Sequence, residues 1–321
     1  MVQSCSRQIT GRIQRPSPRW RGGVGPDTEY SVIEHGTCSG GFGVKKAMLN
    51  HLANELAEGR LAILGLPARL GLLAHDWPLA HAWASSWART AMAAAVTVAF
   101  ALLARAVRGV NWSGALAGGL ACFALFIGAG PAAFATLVAL FAMTWVATRL
   151  GYRRKQELGL AEHREGRNGG QVLANLAIAA LAAIAFAATG NRVYLIALIA
   201  ALAEAATDTV ASEIGQSRRR EARMITTWER VPAGIDGGIT LPGTLAGAAA
   251  GAVIAAVAAA GGLLAPSEIW IPVVAGFAGM LADSVLGATV QRRGWISNQG
   301  VNFVSTLAAG ALGYFLVSSK V

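Results

Sequence analysis

Residues 193–215 read VYLIALIAALAEAATDTVASEIG, and this stretch decides the fold. At about 1.5 Å of rise per residue, a helix of this length crosses a hydrocarbon core of roughly 30 Å. The same stretch carries Glu204, Asp208 and Glu213. Glu204, Asp208 and Ser212 recur at i, i+4 and i+8 and so share one face. An acid at a bilayer centre costs about 2.5–3.5 kcal/mol on insertion scales. Several such costs rival the net stability of a whole domain, about 5–15 kcal/mol. These carboxylates must therefore face one another, a cation or water. Glu213, nearest the helix end, equally suits an interfacial position, and the deeper Glu204 equally suits a packing or orienting role.

The rest of the chain repeats the theme. It is 54% hydrophobic and 14% charged, against about a quarter charged in ordinary soluble domains. Apolar runs predict helices near 88–104, 112–128, 131–149, 171–190, 193–215, 243–263, 269–290 and 301–317. The fold class is all-α: a polytopic transmembrane bundle of seven or eight helices, with the lipid bilayer as its surroundings. The net charge of +10 is carried largely in short connections between these runs, so nucleic acid is not an expected partner. Cys5, Cys38 and Cys122 are odd in number and lack metal-ligand spacing, which gives neither a disulfide framework nor a zinc site.

Residues 1–87 differ. Arg, Gly, Ser and Pro dominate at first, and no signal-peptide pattern follows. The expectation is a disordered extension, or upstream sequence read from a misplaced start, with Met48 and Met92 as alternatives; the membrane domain is then 88–321. The connections after the first, third, fifth and seventh runs hold the arginines, among them Arg105, Arg108, Arg153, Arg154, Arg223 and Arg292, while the opposite connections hold Arg192. The positive-inside rule makes the basic side cytoplasmic, in the bacterial cytoplasmic membrane if the chain is prokaryotic. That places the N-terminus outside, which suits an Arg-rich extension badly and favours either a misplaced start or one more crossing near 61–84.

An internal repeat organises the polar residues. Asp208-Thr209-Val210 precedes Gln216 and a run of arginines; Asp283-Ser284-Val285 precedes Gln291, Arg292 and Arg293 at the same spacing. A fainter copy runs from Thr144 to Gly151. Copies one hairpin apart share an orientation and are related by an axis along the membrane normal. Asp208 and Asp283 are then expected at similar depth, near the basic end. Two carboxylates at one depth suit Mg²⁺, which takes oxygen ligands and keeps water; they equally suit a proton or cation relay.

The connection 224–243 contains Gly234, Asp236, Gly237 and Gly238. Glycine permits close backbone approach, and N–H groups before a helix can hold phosphate. The connection lacks the ending of a P-loop, and a plain Gly-rich turn fits its composition as well. Arg167 and Asn168 open the fourth run, with Gln171 and Asn175 on one face. Gln291, Asn298 and Asn302 add amides on the other side. Such amides serve either as polar lining or as glue between helices. The spacings Gly114/Gly118 and Gly243/Gly247/Gly251 predict close helix packing.

These segments resemble a known family. The matching stretches are 166–175 (GRNGGQVLAN), 206–215 (ATDTVASEIG), 225–227 (ITT), 231–243 (VPAGIDGGITLPG) and 282–291 (ADSVLGATVQ). In this order they resemble the integral membrane proteins grouped as domain of unknown function ninety-two, over roughly 90–317. That family includes plant phytyl-phosphate kinase and an animal multi-pass transmembrane protein. The resemblance implies a CTP-dependent kinase that adds a second phosphate to a prenyl phosphate. On this reading Asp208 and Asp283 bind Mg²⁺ in the catalytic site, with Glu213 as a further ligand, directly or through water. Asp236 and the backbone of 234–238 cradle the nucleotide, and Asn168 stands beside Arg167, Arg223 and Arg230, which neutralise phosphate. Two other readings stand beside it: an ion- or proton-coupled transporter or lipid translocator, and a structural membrane protein.

Overall fold

The computed structural model describes residues 86–161, 165–218 and 221–319. The expected N-terminal extension up to residue 85, and the extra crossing near 61–84, lie outside the described residues.

The apolar runs form helices: α1 (Ser86–Ala106), α2 (Trp112–Ala129), α3 (Pro131–Arg149), the short α4 (Tyr152–Glu157), α5 (Gly169–Thr189), α6 (Val193–Arg218), α7 (Leu241–Ala260), α8 (Trp270–Leu286) and α9 (Asn298–Ser318). Among the described residues eight helices are long and apolar enough to cross a membrane, and α1 is one of them. The chain is an all-α polytopic bundle. Leu102, Leu116, Leu120, Leu181, Leu245 and Phe315 stand exposed on its outside. Water would penalise such a surface, whereas lipid matches it.

The helix starts are written into the sequence. Asn111 caps α2 by accepting from Gly114 N at 2.9 Å. Asn168 caps α5, Thr240 caps α7 and Ser297 caps α9. These four helices all begin at the end that carries the basic connections. At the opposite end Pro131 opens α3, and Arg192 pairs with Glu268 at 3.0 Å.

Helix α6 is the axis of the bundle. It packs against α3, α5, α7, α8 and α9, and 78% of its most apolar window is buried. Small residues let its neighbours approach. A Cβ at Gly247 of α7 would stand 2.5 Å from the Thr207 carbonyl oxygen, and one at Gly279 of α8 would stand 2.5 Å from Glu204 Cγ. The close packing expected of the α7 glycines is therefore present. Gly118 of α2 differs, since a Cβ there would meet Val172 Cγ1 at an ordinary 3.7 Å.

The connection between α6 and α7 departs from the expected plain loop. It folds into a small antiparallel sheet in the order β2-β1-β3, from β1 (Glu221–Met224), β2 (Arg230–Pro232) and β3 (Gly238–Ile239). Ala222 and Met224 are buried against the bundle, and Glu221 and Arg223 alternate outward.

Candidate functional site

A polar cavity of about 390 Å³ opens at the basic end, between α5, α6, α8, α9 and the sheet connection. Asp208 and Asp283 both line it, together with Arg167, Gln171, Asn175, Ser212, Glu213, Gln291, Asn298 and Asn302. Gly234, Asp236, Gly237 and Gly238 form its outer wall. Residues from Arg167 to Asn302, 136 positions of sequence, thus share one space.

Each element is positioned by identifiable local chemistry. Arg167 is clamped to the α1–α2 turn: its N–H donates to Gly109 O at 3.1 Å, and its carbonyl accepts from Asn111 N at 3.0 Å. Gly166 makes this possible, because its φ of 84° is left-handed and a Cβ would stand 2.5 Å from Val110 N. The carboxylate of Asp283 accepts from Ser305 Oγ at 3.3 Å. Asn302, with its amide nitrogen turned toward acceptors, donates to Asp283 Oδ2 at 3.3 Å and to Asn298 O at 3.0 Å. Below Asp283 the α-helix gives way to a π-turn, Gly287–Gln291, a feature that recurs at functional sites. Gly237 (φ 80°) lies against this turn, where any side chain would collide with Ala288.

The electrostatics favour an anion held by a cation. Three helix N-termini reach the cavity, through Gln171 of α5, Thr240 of α7 and Asn298 with Gln299 of α9. Their dipoles attract negative charge. Arg167 acts on Asp208 across the same space. Outside the membrane-spanning segments, burial raises the Asp236 carboxyl above its ordinary range, and the Arg292 guanidinium opposes that rise.

Among the described residues no three His, Cys, Asp or Glu side chains converge as a metal cluster. The protein thus offers two carboxylates in a polar, roomy site rather than a closed cage. Mg²⁺ fits such a donor set, since it binds through one or two carboxylates together with waters and phosphate oxygens.

Several expected site residues lie elsewhere. Arg223 is on the outward face of β1, because strand alternation that buries Ala222 and Met224 must expose it. Its guanidinium donates to Trp228 O at 2.9 Å. Arg230 is its cross-strand partner and pairs with Glu221 at 3.6 Å in solvent. Asn168 caps α5 in a reciprocal box with Gln171, through bonds of 3.1 and 2.8 Å. The amides of Ile235 and Gly238 close turns on Pro232 O and Ile235 O, which narrows the backbone cradle expected over 234–238. Glu204 sits beneath the cavity, almost wholly buried against α8 and α9 and close to Ser305, and among the described residues neither of its oxygens meets hydrogen-bond geometry. Glu213 lines the margin, but its carboxylate is held by Lys155 and by Thr148 Oγ1 at 3.0 Å.

Lys155 was not singled out by its sequence context. It is fully buried, and besides Glu213 it donates to Ala147 O at 3.3 Å and Thr148 O at 2.6 Å. It thereby closes the C-terminus of α3 onto α6.

The fold and site define an integral membrane protein with a polar, anion-attracting cavity at one end of a helix bundle. Comparison with known proteins gives its family: the chain belongs to the integral membrane protein family DUF92, whose profile matches residues 95–310. It is 32% identical to an uncharacterised membrane protein of Methanocaldococcus jannaschii over 67% of this chain and 89% of that one. It is 30% identical to an uncharacterised membrane protein of Synechocystis over 56% and 71%. The chloroplast protein VTE6 of Arabidopsis thaliana is 28% identical over 55% of this chain and 56% of its own length. No solved structure matches.

Proposed function

We propose that this protein is a membrane-embedded, CTP-dependent prenyl-phosphate kinase that forms a prenyl diphosphate. The observation that carries the reading is the polar cavity in which Asp208, Asp283 and Arg167 meet the glycine-rich wall. The family's plant phytyl-phosphate kinase supplies the reaction class.

In this reaction the γ-phosphoryl group leaves the nucleotide as its bond to the β-phosphate oxygen breaks. It joins an oxygen of the prenyl monophosphate, giving CDP and the diphosphate. The second pKa of a phosphate monoester is about 6, so the attacking oxygen carries no proton at neutral pH. A general base is unnecessary, and catalysis is positioning and charge stabilisation. When bound, Mg²⁺ would neutralise the β- and γ-phosphate oxygens, held by Asp208 and Asp283. Arg167 and the N-termini of α5, α7 and α9 supply the remaining positive potential. Asp236 accepts from a donor group of the nucleotide, the amides of Gln171, Asn175 and Asn298 orient the phosphates, and Asn302 holds Asp283 in place. The basic loops face the cytoplasm, where nucleotide is available.

The test is a phosphotransfer assay on protein in lipid nanodiscs with CTP, Mg²⁺ and phytyl or geranylgeranyl phosphate. Diphosphate product is expected; its absence across nucleotides and prenyl phosphates overturns the reading. One observation favours a transporter instead. A buried acid without a hydrogen-bond partner, such as Glu204, demands a proton, a cation or water. That alternative requires ion-driven uptake in proteoliposomes, lost in Asp208→Asn, and no nucleotide binding.

A further inference from the structure

A second cavity, of about 510 Å³, lies between α1, α2, α3 and α5. Its two ends differ in chemistry. Phe100, Leu137, Leu140 and Leu176 wall the deep part. Along α2, Gly118 and Gly119 leave that part without side chains. A Cβ at Gly118 would meet Val172 at 3.7 Å, and one at Gly119 would meet Thr97 at 3.7 Å and Ala101 at 3.8 Å. Those are ordinary contacts, so helix packing does not require glycine at either position. What the two glycines preserve is open space.

The other end carries Arg108, Arg149, Tyr152 and Arg167. These residues follow α1, end α3, open α4 and precede α5, so they gather at the basic end. Arg149 is fixed there, its guanidinium 4.3 Å from the Trp145 ring centre and donating to Val107 O. An apolar depth beneath a cationic mouth matches one kind of ligand, an apolar chain with an anionic head. Guanidinium groups recognise phosphate with several donors at once.

The mouth also adjoins the polar cavity. Arg167, Gln171 and Asn175 line both spaces. A headgroup held at Arg167 would therefore stand at the doorway to the site of Asp208 and Asp283.

We infer that this second cavity seats the apolar tail of a single-chain amphiphile, with its phosphate headgroup at Arg108, Arg149 and Arg167, in the doorway between the two cavities. That the amphiphile is the acceptor of phosphotransfer rests on the kinase reading; the seat itself rests on the cavity. Gly118 then sets how bulky a chain can enter, and Arg167 positions the headgroup from both sides.

Photolabelling tests the seat without requiring turnover. The full chain in phospholipid nanodiscs is exposed to a twenty-carbon isoprenoid monophosphate with a diazirine in its tail, and labelled peptides are mapped. Labelling is expected on α2 and α3, around Gly118 and Phe141. Geranylgeranyl phosphate should suppress it at least tenfold more effectively than geranylgeraniol, which lacks the phosphate. Gly118→Leu should reduce labelling at least tenfold. Gly118→Leu should keep the thermal unfolding midpoint of the unaltered chain, so that its lost labelling reports the blocked seat and not a lost fold. Label outside α1, α2, α3 and α5, or labelling that no phosphate competitor suppresses because bulk phospholipid fills the cavity, overturns the inference. The same samples given CTP and Mg²⁺ separate the two ideas. Labelled α2 and α3 without diphosphate product overturns the kinase reading and leaves the seat; product with the label elsewhere does the reverse.

Discussion

Helices α6 and α8 carry the same sequence device and use it differently. In both, an Asp stands eight positions before a Gln. In α6 the helix stays regular past Gln216 and is the most buried span of the bundle. In α8 the regular helix ends at Leu286, and Gln291 falls in a π-turn pressed by Gly237. The partners differ as well. Asp208 answers to the charge of Arg167, whereas Asp283 is held by hydrogen bonds from Ser305 and Asn302. A repeat fixes where two groups sit; the neighbours decide what holds them. One acid is set in the buried axis of the bundle, and the other stands above a π-turn.

The strongest way to break this comparison is to neutralise each acid in turn. Asp208→Asn and Asp283→Asn should each lower phosphotransfer at least a hundredfold, in line with the cost of about 10²–10³ for deleting one preorganised electrostatic group. Product kinetics in nanodiscs measure this. Full rate in either variant removes that residue from the metal role.

Stability gives the next largest effect and sharpens the account of α6. Lys155→Met leaves Glu213 partly buried without its cation. Breaking a buried pair costs about 3–5 kcal/mol, so the thermal unfolding midpoint should fall clearly in detergent. The double variant with Glu213→Gln should recover much of that loss. Equal midpoints for Lys155→Met and the unaltered protein would show that the pair does not tie α3 to α6.

Ser305→Ala addresses the α8 side alone. One hydrogen bond is worth about 1.5–3 kcal/mol when a charged group accepts it, so a loss of roughly ten- to a hundred-and-fiftyfold in kcat/KM is expected, with a higher Mg²⁺ requirement. An unchanged Mg²⁺ requirement would mean that Asp283 does not depend on its hydrogen bonds.

A smaller effect concerns Asp236. Burial raises its carboxyl, so its ionised form is lost at a higher pH than for an ordinary aspartate. If that form binds nucleotide, the KM for CTP should rise as pH falls through this range, and Asp236→Asn should abolish the dependence. A pH-independent KM contradicts the assigned role. Smallest of all, Arg230→Gln should change the rate less than about twofold, because its pairing with Glu221 is solvent-exposed and such pairs contribute little.

Much of this architecture was legible in the sequence because the bilayer imposes simple rules. Apolar length gave the eight spans, and the spacing of Asp and Gln gave two acids that do line one cavity. Arg167, Gln171 and Asn175 were visible in one motif. What was not legible depended on tertiary partners or on a change of period. Arg223 and Arg230 looked like phosphate ligands until strand alternation turned them outward. Asn168 carried its own signal, since Asn followed three positions later by Gln is the spacing of a capping box. Lys155 lay among surface-like basic residues, and only the fold shows Glu213 waiting for it. Arg108 was read as a topology marker and Arg149 fell within the faint copy of the repeat, yet both line the mouth of the apolar cavity. Gly118 looked like a packing glycine and instead leaves space.

The reaction proposed for the cavity shared by Asp208 and Asp283 is phosphotransfer onto a lipid phosphate. The measurement that bears on it most closely follows γ-labelled CTP with geranylgeranyl phosphate and Mg²⁺ in nanodiscs, comparing the unaltered chain with Asp208→Asn. Labelled geranylgeranyl diphosphate is expected from the first and at least a hundredfold less from the second. Label that never reaches a prenyl phosphate, or reaches it equally in both proteins, contradicts that reaction.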